Sequence, residues 1–313
     1  MPYNFHAGWG RVLADSVFTK RPSTGRKFIV MASSNGNWER YTEMLPGHPE
    51  GDVISIHPTI SDAVSAASNY EDDVIYVAAA HTETITAAAA LVINKSGVSI
   101  VGLGNDDNRP RIDFDTATTA DIDVNGADVT FENIKFNLTG IDLLTGPLDV
   151  NARNCTFKDC EIVIADDTNS ALVGIVTDAN ASGLKLIRTN LHGTTNTGAA
   201  TGIRIVGGNE HLIEDSIIDG HFNALMGGVS VTTTAASIVI KNSIIRNKRY
   251  NGTSAIDLLR DSTAVITGCA LAVASGTTPV TISKSGTFAG KGFVVTAGNW
   301  YRGGTTIAAG TLL

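Results

Sequence analysis

Two groups of closely spaced aspartates are the residues of this chain that could do chemistry. The first group is Asp113, Asp115, Asp121 and Asp123. Alternation along a strand puts the two members of each pair on one face, and carboxylates on one face suit Ca²⁺, so this group is a candidate calcium site. Arg109 and Arg111 stand beside the first pair, so an exposed ion-pair cluster is the ordinary alternative. The second group is Asp166 and Asp167.

The elements that would position these side chains follow from a phrase that recurs along the chain. It combines apolar residues, one polar residue and a small turn residue, as in Val129-Thr130-Phe131-Glu132-Asn133 and Ile238-Val239-Ile240-Lys241-Asn242. The turn position advances by 31, 26, 30, 26, 27 and 26 residues. Short β-branched strands in units of this length cannot bury their own apolar face, so copies must stack. The pattern predicts an all-β solenoid, a right-handed parallel β-helix of about eight coils and about 40 Å.

A small or polar residue holds the turn position of each repeat. In chain order these residues are Gly102, Asn133, Asp159, Thr189, Asp215, Asn242 and Gly268. Gly, Asn and Asp tolerate left-handed backbone angles, and stacked Asn side chains can bond to the backbone of neighbouring coils. We therefore interpret these residues as structural, the two aspartates included.

Charge divides the chain into a basic start and an acidic body. The net charge of −8 and the pI near 5.3 argue against nucleic-acid binding, which needs a basic surface. Residues 1–27 nevertheless carry a net charge of +4, which leaves −12 for the other 286 residues. The basic residues of this arm are Arg11, Lys20, Arg21, Arg26 and Lys27. They either dock on an acidic partner surface or pair with the acidic body itself.

Apolar runs and cysteines restrict the class of protein further. No apolar run approaches the roughly 18 residues of a membrane span, and the first residues lack the layout of a signal peptide, so we expect a soluble protein. Cys160 and Cys269 lie four coils apart, about 19 Å at about 4.8 Å per coil, which is too far for a disulfide. We expect all three cysteines to be buried or half-buried, and we expect no metal and no cofactor.

A short helix is predicted at about residues 59–69. Thr59 is its N-cap, Asp62 stands at capping-box spacing, and apolar residues follow from Ile60 at i+3, i+4 and i+7. An open solenoid end exposes strand edges and core, so we expect the helix to plug it before a first parallel strand at Asp73–Val77. The chain thus divides into an N-terminal arm or docking segment over residues 1–57 and a parallel β-helix over residues 58–313. The arm contains one candidate strand, at residues 27–31.

Four segments between residues 52 and 115 carry a family likeness. They are Pro58-Thr59-Ile60-Ser61-Asp62-Ala63-Val64, Asp73-Val74-Ile75-Tyr76-Val77, His81-Thr82-Glu83-Thr84-Ile85, and Gly97-Val98-Ser99-Ile100-Val101-Gly102-Leu103-Gly104 with Arg109-Pro110-Arg111-Ile112. Together they resemble the N-terminal half of pectin-lyase-like β-helix proteins, and the likeness extends over roughly residues 52–270. It implies the fold and selects no activity, because that superfamily holds pectate lyases, polygalacturonases, phage tailspikes and non-enzymatic virion proteins.

A narrower resemblance concerns segments on either side of the first coils. The segments are Gly25-Arg26-Lys27-Phe28-Ile29-Val30, Pro46-Gly47-His48-Pro49-Glu50-Gly51-Asp52 and Thr116-Ala117-Thr118-Thr119, and they look like parts of uncharacterised β-helix proteins of tailed bacteriophages. This likeness implies a non-enzymatic virion protein, a trimeric head-decoration or capsid-stabilising protein attached through the basic arm. Its partners would be the major capsid protein or another shell protein and further copies of itself. It would be made in the host cytoplasm and reside in the virion.

An enzyme of the same superfamily is the alternative, namely a tailspike or secreted lyase or hydrolase that acts on an acidic polysaccharide. Polygalacturonases pair aspartates as general acid and base, followed by a histidine and then a basic site. Asp166, Asp167 and His221 resemble parts of that set. The order differs, because Arg204 precedes His221, whereas the basic motif of the family follows the histidine. The long excursions at residues 193–202 and 247–254 are expected to project from one side, where any ligand would bind.

Overall fold

The described part of the chain winds through three parallel β-sheets. The computed structural model describes residues 25–32, 55–194, 198–222, 227–234, 236–249, 254–258 and 262–274, and the backbone of three more strands at 280–282, 294–297 and 300–302. Each full coil contributes one strand to each sheet, and every strand pairs in parallel with the equivalent strand of the next coil. The predicted all-β parallel β-helix is confirmed, and the smallest sheet has eight strands, as about eight coils require.

The strands are grouped here by sheet and numbered in chain order. The first sheet has eleven strands: β1 (Lys27–Val30), β2 (Ser55–His57), β3 (Val74–Val77), β6 (Ser99–Gly102), β9 (Thr130–Glu132), β12 (Thr156–Lys158), β15 (Lys185–Ile187), β18 (His211–Glu214), β21 (Ser237–Lys241), β24 (Thr263–Thr267) and β27 (Val294–Ala297). The second sheet has nine: β4 (Thr82–Ile85), β7 (Arg111–Phe114), β10 (Lys135–Asn137), β13 (Glu161–Ala165), β16 (Asn190–Gly193), β19 (Ile217–Gly220), β22 (Ile244–Asn247), β25 (Ala270–Val273) and β28 (Trp300–Arg302). The third sheet has eight: β5 (Leu91–Ile93), β8 (Ile122–Val124), β11 (Leu148–Val150), β14 (Val173–Thr177), β17 (Thr201–Ile205), β20 (Val229–Val231), β23 (Ile256–Leu258) and β26 (Val280–Ile282).

The repeat phrase forms the first sheet, and its middle residue points into the core. Pairing places these residues in one unbroken apolar column: Phe28, Ile75, Ile100, Phe131, Phe157, Leu186, Ile213, Ile240 and Ile266. The rings of Phe131 and Phe157 stack with centroids 5.2 Å apart, and Phe136 of the second sheet meets both rings edge-on. Like residues therefore lie on like residues along one shared core, which is how a stack of short strands buries its apolar faces.

The turn after each first-sheet strand uses the left-handed backbone that the sequence predicts, with two differences. The residues with positive φ include Asn133, Asp159, Asp215, Asn242 and Gly268. Thr189 is not among them, because Lys158 pairs with Ile187 and the left-handed residue of that coil is Arg188, at φ 48°. Gly102 lies inside β6. The Asn133 side chain donates to the carbonyl oxygens of Gly102 and Gly104, both at 2.9 Å, so it does join neighbouring coils.

A short helix, α1 (Ile60–Ala66), closes the first coil. Its N-cap is Thr59, whose hydroxyl oxygen accepts from the N–H of Asp62 at 3.1 Å, as the capping-box spacing predicts. Ile60, Ala63 and Val64 are buried in the core shared with the coils. The helix ends at Ala66, a few residues earlier than expected, because the next residue is extended. No helix in the described ranges is both long and apolar enough to cross a membrane.

Two strands from the range 1–57 extend the first sheet beyond the first coil. The sheet order is β2, β1, β3, so the Lys27–Val30 strand pairs directly with β3. Phe28 and Val30 face the shared core, while Ile29 faces the other side of the sheet, where it joins a second buried apolar cluster with Tyr76 and Val101. The segment before residue 58 therefore supplies strands to the solenoid as well as basic residues.

Candidate functional site

Asp166 and Asp167 follow β13, at the corner between the second and third sheets. One carboxylate oxygen of Asp166 accepts from the N–H groups of Thr168 and Asn169, at 2.8 and 2.7 Å. These hydrogen bonds, that of Asn169 first, hold the pKa of Asp166 below its ordinary value. A carboxylate that stays ionised and locks its own turn is suited to a structural role and poorly suited to general acid catalysis. Asp167 is exposed.

His221 follows β19, at the same corner. Burial first, and then the charge of Lys248, lower its pKa, so the ring is neutral at pH 7. Ala165 pairs with β16, and β16 pairs with β19, so a whole coil separates Asp166 from His221. Two steps of about 4.8 Å put them about 10 Å apart along the stack. The structure thus brings these sequence-predicted residues to one corner without joining them into a pair.

The two long excursions also leave from this corner. One follows β16 and precedes β17, and the other follows β22 and precedes β23, so both connect the second sheet to the third. The corner therefore carries both the excursions and the residues resembling a glycosidase set. Residues 195–197 and 250–253 within these excursions lie outside the described ranges.

The four aspartates of the candidate calcium site are divided between sheets. Asp113 lies on the second sheet, where it accepts from Arg111 Nε and Asn137 Nδ2, each at 2.9 Å. Asp123 lies on the third sheet in β8, and Asp121 just before it accepts from the N–H of Ala89. The ion-pair interpretation holds for Asp113. Within the described ranges no group of three or more His, Cys, Asp or Glu side chains is placed to hold a metal ion.

An acidic row on the third sheet contains one residue that the sequence reasoning missed. Asp149 of β11 pairs in register with Asp123 of β8. Burial and then the charges of Asp123 and Asp121 raise the pKa of Asp149 to about 6, although a hydrogen bond from Asn151 opposes the shift. The sequence contains a pattern that could have revealed this row. Ile122-Asp123-Val124 and Leu148-Asp149-Val150 have the same apolar, Asp, apolar order one repeat period apart, which places the two aspartates side by side. A carboxyl group with this pKa can exchange a proton near neutral pH.

A mixed-charge group lies on the outer face of the second sheet around Glu161. His192 Nε2 lies 3.1 Å and Lys135 Nζ 3.3 Å from Glu161 Oε1, and Arg109 Nη1 lies 3.7 Å from Oε2. Burial alone would raise the pKa of Glu161, but the hydrogen bond with His192 and the charge of Lys135 outweigh it and lower the pKa. Glu161 is therefore ionised and held by three cationic or ionisable neighbours.

Four further ion pairs join one coil to the next. They are Glu132 with Lys158 at 2.8 Å, and Asp159 with Arg188, Glu214 with Lys241 and Asp219 with Arg246, each at 2.7 Å. The Asp159 and Arg188 pair is bidentate, with a second contact of 2.9 Å. Lys248 also reaches Asp219 at 2.7 Å. These pairs lie on or beside the first and second sheets and join successive coils there.

The five basic residues predicted to dock on a partner have different positions. Arg11, Lys20 and Arg21 lie outside the described residues. Arg26 is bound within the chain, with its guanidinium 3.1 Å from the buried carboxylate of Asp73. Lys27 opens β1 and is half-buried. For Arg26 the local pairing left open by the sequence is the arrangement found.

Comparisons with known proteins establish the fold. No protein-family model matches the chain, and no curated protein matches it. Among solved structures, the chain is similar to pectate lyase Pel9A, with a TM-score of 0.59 and 14% identity over 94% of this chain and 80% of that chain. It is also similar to pectin methylesterase from Aspergillus niger, with a TM-score of 0.54 and 16% identity over 92% of this chain and 91% of that chain. The expected pectin-lyase-like parallel β-helix is confirmed, and at these identities the likeness concerns the fold alone.

Proposed function

We propose that the chain is a non-enzymatic structural protein of a phage virion, a trimeric head-decoration or capsid-stabilising protein. The observation that carries this proposal is the pairing of outward charges between successive coils. Each pair joins two neighbouring coils and occupies charged groups that would otherwise be available to a substrate. Asp166 and His221 support it as well, because the first is bound in its own turn and a coil separates them.

In this proposal attachment is assigned to the basic residues of the range 1–27 other than Arg26. Arg26 is paired with Asp73 within the chain, so we do not assign it to docking. The residues proposed to contact the partner are Arg11, Lys20 and Arg21, together with Lys27 at the start of β1. A positive segment on an acidic body approaches an acidic shell surface favourably, and three copies around one axis multiply weak contacts. The partner in this proposal is the major capsid protein or another shell protein.

Attachment through the arm is tested with matched full-length variants in which basic residues are neutralised. Particles that lack the chain are mixed with wild type, with Lys20→Gln/Arg21→Gln, or with Lys95→Gln/Arg153→Gln, which removes the same charge from the coils. We expect the wild type and the coil variant to sediment with particles and the arm variant to remain in solution at moderate salt. Equal sedimentation of all three would contradict attachment through the arm, and no sedimentation of the wild type would contradict the virion role.

A polysaccharide-active enzyme is the second candidate function, and the observation that favours it is Asp149. Its carboxyl group titrates at a pKa of about 6 beside Asp123 on an outer sheet face, which is the property of a proton-transfer group. In this alternative the substrate would be an acidic polysaccharide. The mechanism would then lie on the third sheet and not at the corner that holds Asp166, Asp167 and His221.

Product assays decide between the two functions. The chain is incubated with a panel of acidic polysaccharides, and reducing ends and unsaturated products are measured for wild type, Asp149→Asn and Asp166→Asn/His221→Ala. Under the structural proposal none of the proteins releases product above a denatured control. Product release that is lost only in Asp149→Asn would establish the enzyme with its site on the third sheet. Loss only in the other variant would place that site at the corner.

A further inference from the structure

His211 occupies a position at the start of β18 that is apolar in the neighbouring coils. Strand pairing from β6 to β24 places one residue of each coil in the same inward column, in the order Val98, Val129, Cys155, Leu184, His211, Ile238 and Ala264. The other members of the column all belong to the shared core. His211 is itself only 1% exposed. A single imidazole ring therefore lies in a column of buried apolar side chains.

The ring is bound to the turn between β17 and β18 in one protonation state. Its Nε2 lies 3.0 Å from the carbonyl oxygen of Gly207. Because a carbonyl oxygen can only accept, Nε2 carries the proton, and Nδ1 is the bare nitrogen of a neutral ring. Nδ1 is buried and has no hydrogen-bond partner among the described residues. The neutral ring thus satisfies its one donor, whereas a second proton on Nδ1 would have no acceptor.

The turn that covers the ring contains two consecutive glycines. Gly208 has φ 93°, in the left-handed region that favours glycine, and a Cβ there would lie 3.1 Å from His211 Nε2 and collide with the carbonyl oxygen of Ala181. The N–H groups of Asn209 and Glu210 donate to serine hydroxyls of the neighbouring coils at 3.1 and 2.8 Å, and both bonds are exposed. The ring therefore gives this exposed turn a buried contact with the core.

We propose that His211 is an acid-sensitive clasp on this turn, closed while the ring is neutral and opened when the ring takes up a proton. The inference goes beyond the proposed virion role and does not depend on it. Protonation places a charge in an apolar column and an N–H group on Nδ1 where no acceptor lies. Both cost free energy that is regained when the ring leaves the core for water, and the turn then loses its buried contact.

No neighbouring carboxylate is placed to compensate a charge on the ring. The charged side chains on β15, β17, β18, β21 and the described turns that join them around the ring are Asp178, Lys185, Arg204, Glu210, Glu214 and Lys241. The two acids outside β18 are exposed, and the other four lie on outer sheet faces. The titratable member of its own column is Cys155, two coils away. Burial lowers the pKa of His211, opposed only by hydrogen bonds with the backbone of Gly207 and Gly208.

Hydrogen exchange of the full-length chain, followed by mass spectrometry, tests the clasp. A ring that is free in the opened turn titrates near its ordinary pKa of about 6.5. Between about pH 7.5 and about pH 5.5, protection of the amides at residues 208–213 should therefore fall several-fold, to a limit of about tenfold, after correction for the intrinsic exchange rate. His211→Leu, which makes the column apolar throughout, should show no such fall. His192→Gln is the matched control on the outer face of the second sheet and should behave as wild type.

Unchanged protection in wild type, an equal fall in His211→Leu, or loss of the response in His192→Gln would overturn the proposal. Protection around Phe131 should persist at the lower pH, and an equal fall there would show global unfolding and overturn it as well. Asp149 cannot cause the expected fall, because its pKa of about 6 favours the folded chain as the pH decreases. Should His211→Leu not fold, His211→Gln replaces it, since its amide can donate to Gly207 and takes up no proton.

Discussion

Arg26 binds Asp73 through both its backbone and its side chain. Its N–H donates to Oδ1 at 2.6 Å, and its guanidinium donates to Oδ2 at 3.1 Å. Asp73 is completely buried and also accepts from the N–H of Ser68 at 2.8 Å. The same guanidinium donates to the carbonyl of Ala66, the last residue of α1. One carboxylate thus ties together the residue before β1, the end of α1 and the start of β3.

Removal of this carboxylate should weaken the start of the solenoid. In Asp73→Ala, the two N–H groups and the Arg26 guanidinium lose their acceptor, so the free energy of unfolding should fall by about 3 kcal/mol. Urea denaturation followed by circular dichroism measures this. Asp107→Asn, on an exposed 3-10 helix, is the control and should stay within about 0.5 kcal/mol of wild type. A loss for Asp73→Ala no greater than that of the control would contradict the role of the pair.

The row of Asp123 and Asp149 predicts a pH dependence of stability. The pKa of Asp149 is about 6 when folded, against about 3.9 in an unfolded chain, so the folded state holds the proton more tightly. The stabilisation that the more tightly held proton gives the folded state is complete below about pH 4 and is lost as the pH rises through about 6. Because Asp149 is half exposed, we expect the loss to be about 1 kcal/mol.

Asp149→Asn removes the charge that causes this loss. The variant should be more stable than wild type by about 1 kcal/mol at pH 8 and equal to it at pH 4, measured by urea denaturation at both values. Asp113→Asn is the contrast, because its carboxylate is paired with Arg111 and its loss should destabilise the fold at pH 8. A variant Asp149→Asn that is less stable at pH 8 would contradict the repulsion.

We expect the side-chain hydrogen bonds of Asn133 and its left-handed backbone angle to contribute separately to the free energy of unfolding. Asn133→Gly keeps the φ of 56° accessible and loses only the two hydrogen bonds to the preceding coil, so it should cost about 1 to 2 kcal/mol. Asn133→Ala loses the bonds and also strains the left-handed backbone, which adds roughly 1 kcal/mol. Thermal or urea unfolding of both variants gives the difference. Equal stability of the two variants would contradict a left-handed backbone at residue 133.

The three cysteines should be inert in the folded protein. Cys155 and Cys160 are buried, and burial raises the pKa of each thiol to about 12. Burial also raises the pKa of Cys269. Because the thiolate is the reactive form, a chromogenic disulfide reagent at pH 8 should label no thiol in native protein and three after denaturation. Rapid labelling of the native chain would contradict the packing of these coils.

The solenoid was predictable because its signal is repeated and local. Phe131 and Phe157 stand one period apart, and the strand phrase around each predicts the same inward position, so register follows from spacing. The placement of β1 beside β3 was not predictable in this way. Lys27 and Val74 pair across 47 residues that do not follow the period, so only the folded chain shows that β1 belongs to the first sheet.

The candidate sites were harder to predict because they depend on neighbours from other coils. Asp149 looks like any outward polar residue between two apolar ones, and its pKa is raised only because Asp123 lies alongside it. Arg26 counted as one of five basic residues in an arm, since its partner Asp73 is far away in the sequence. Asp166 and Asp167 were predicted as catalytic candidates because they are adjacent in the sequence. The N–H groups of Thr168 and Asn169 instead bind the Asp166 carboxylate within its own turn, which the sequence alone does not show.

Electron cryomicroscopy of purified particles from the source of this chain would show whether the chain is part of the virion. We expect rods of stacked coils about 4.8 Å apart, in groups of three on the head surface, with the β1 end toward the shell. Particles without this density, together with a purified chain that cleaves an acidic polysaccharide, would contradict the structural role and establish the enzyme in its place.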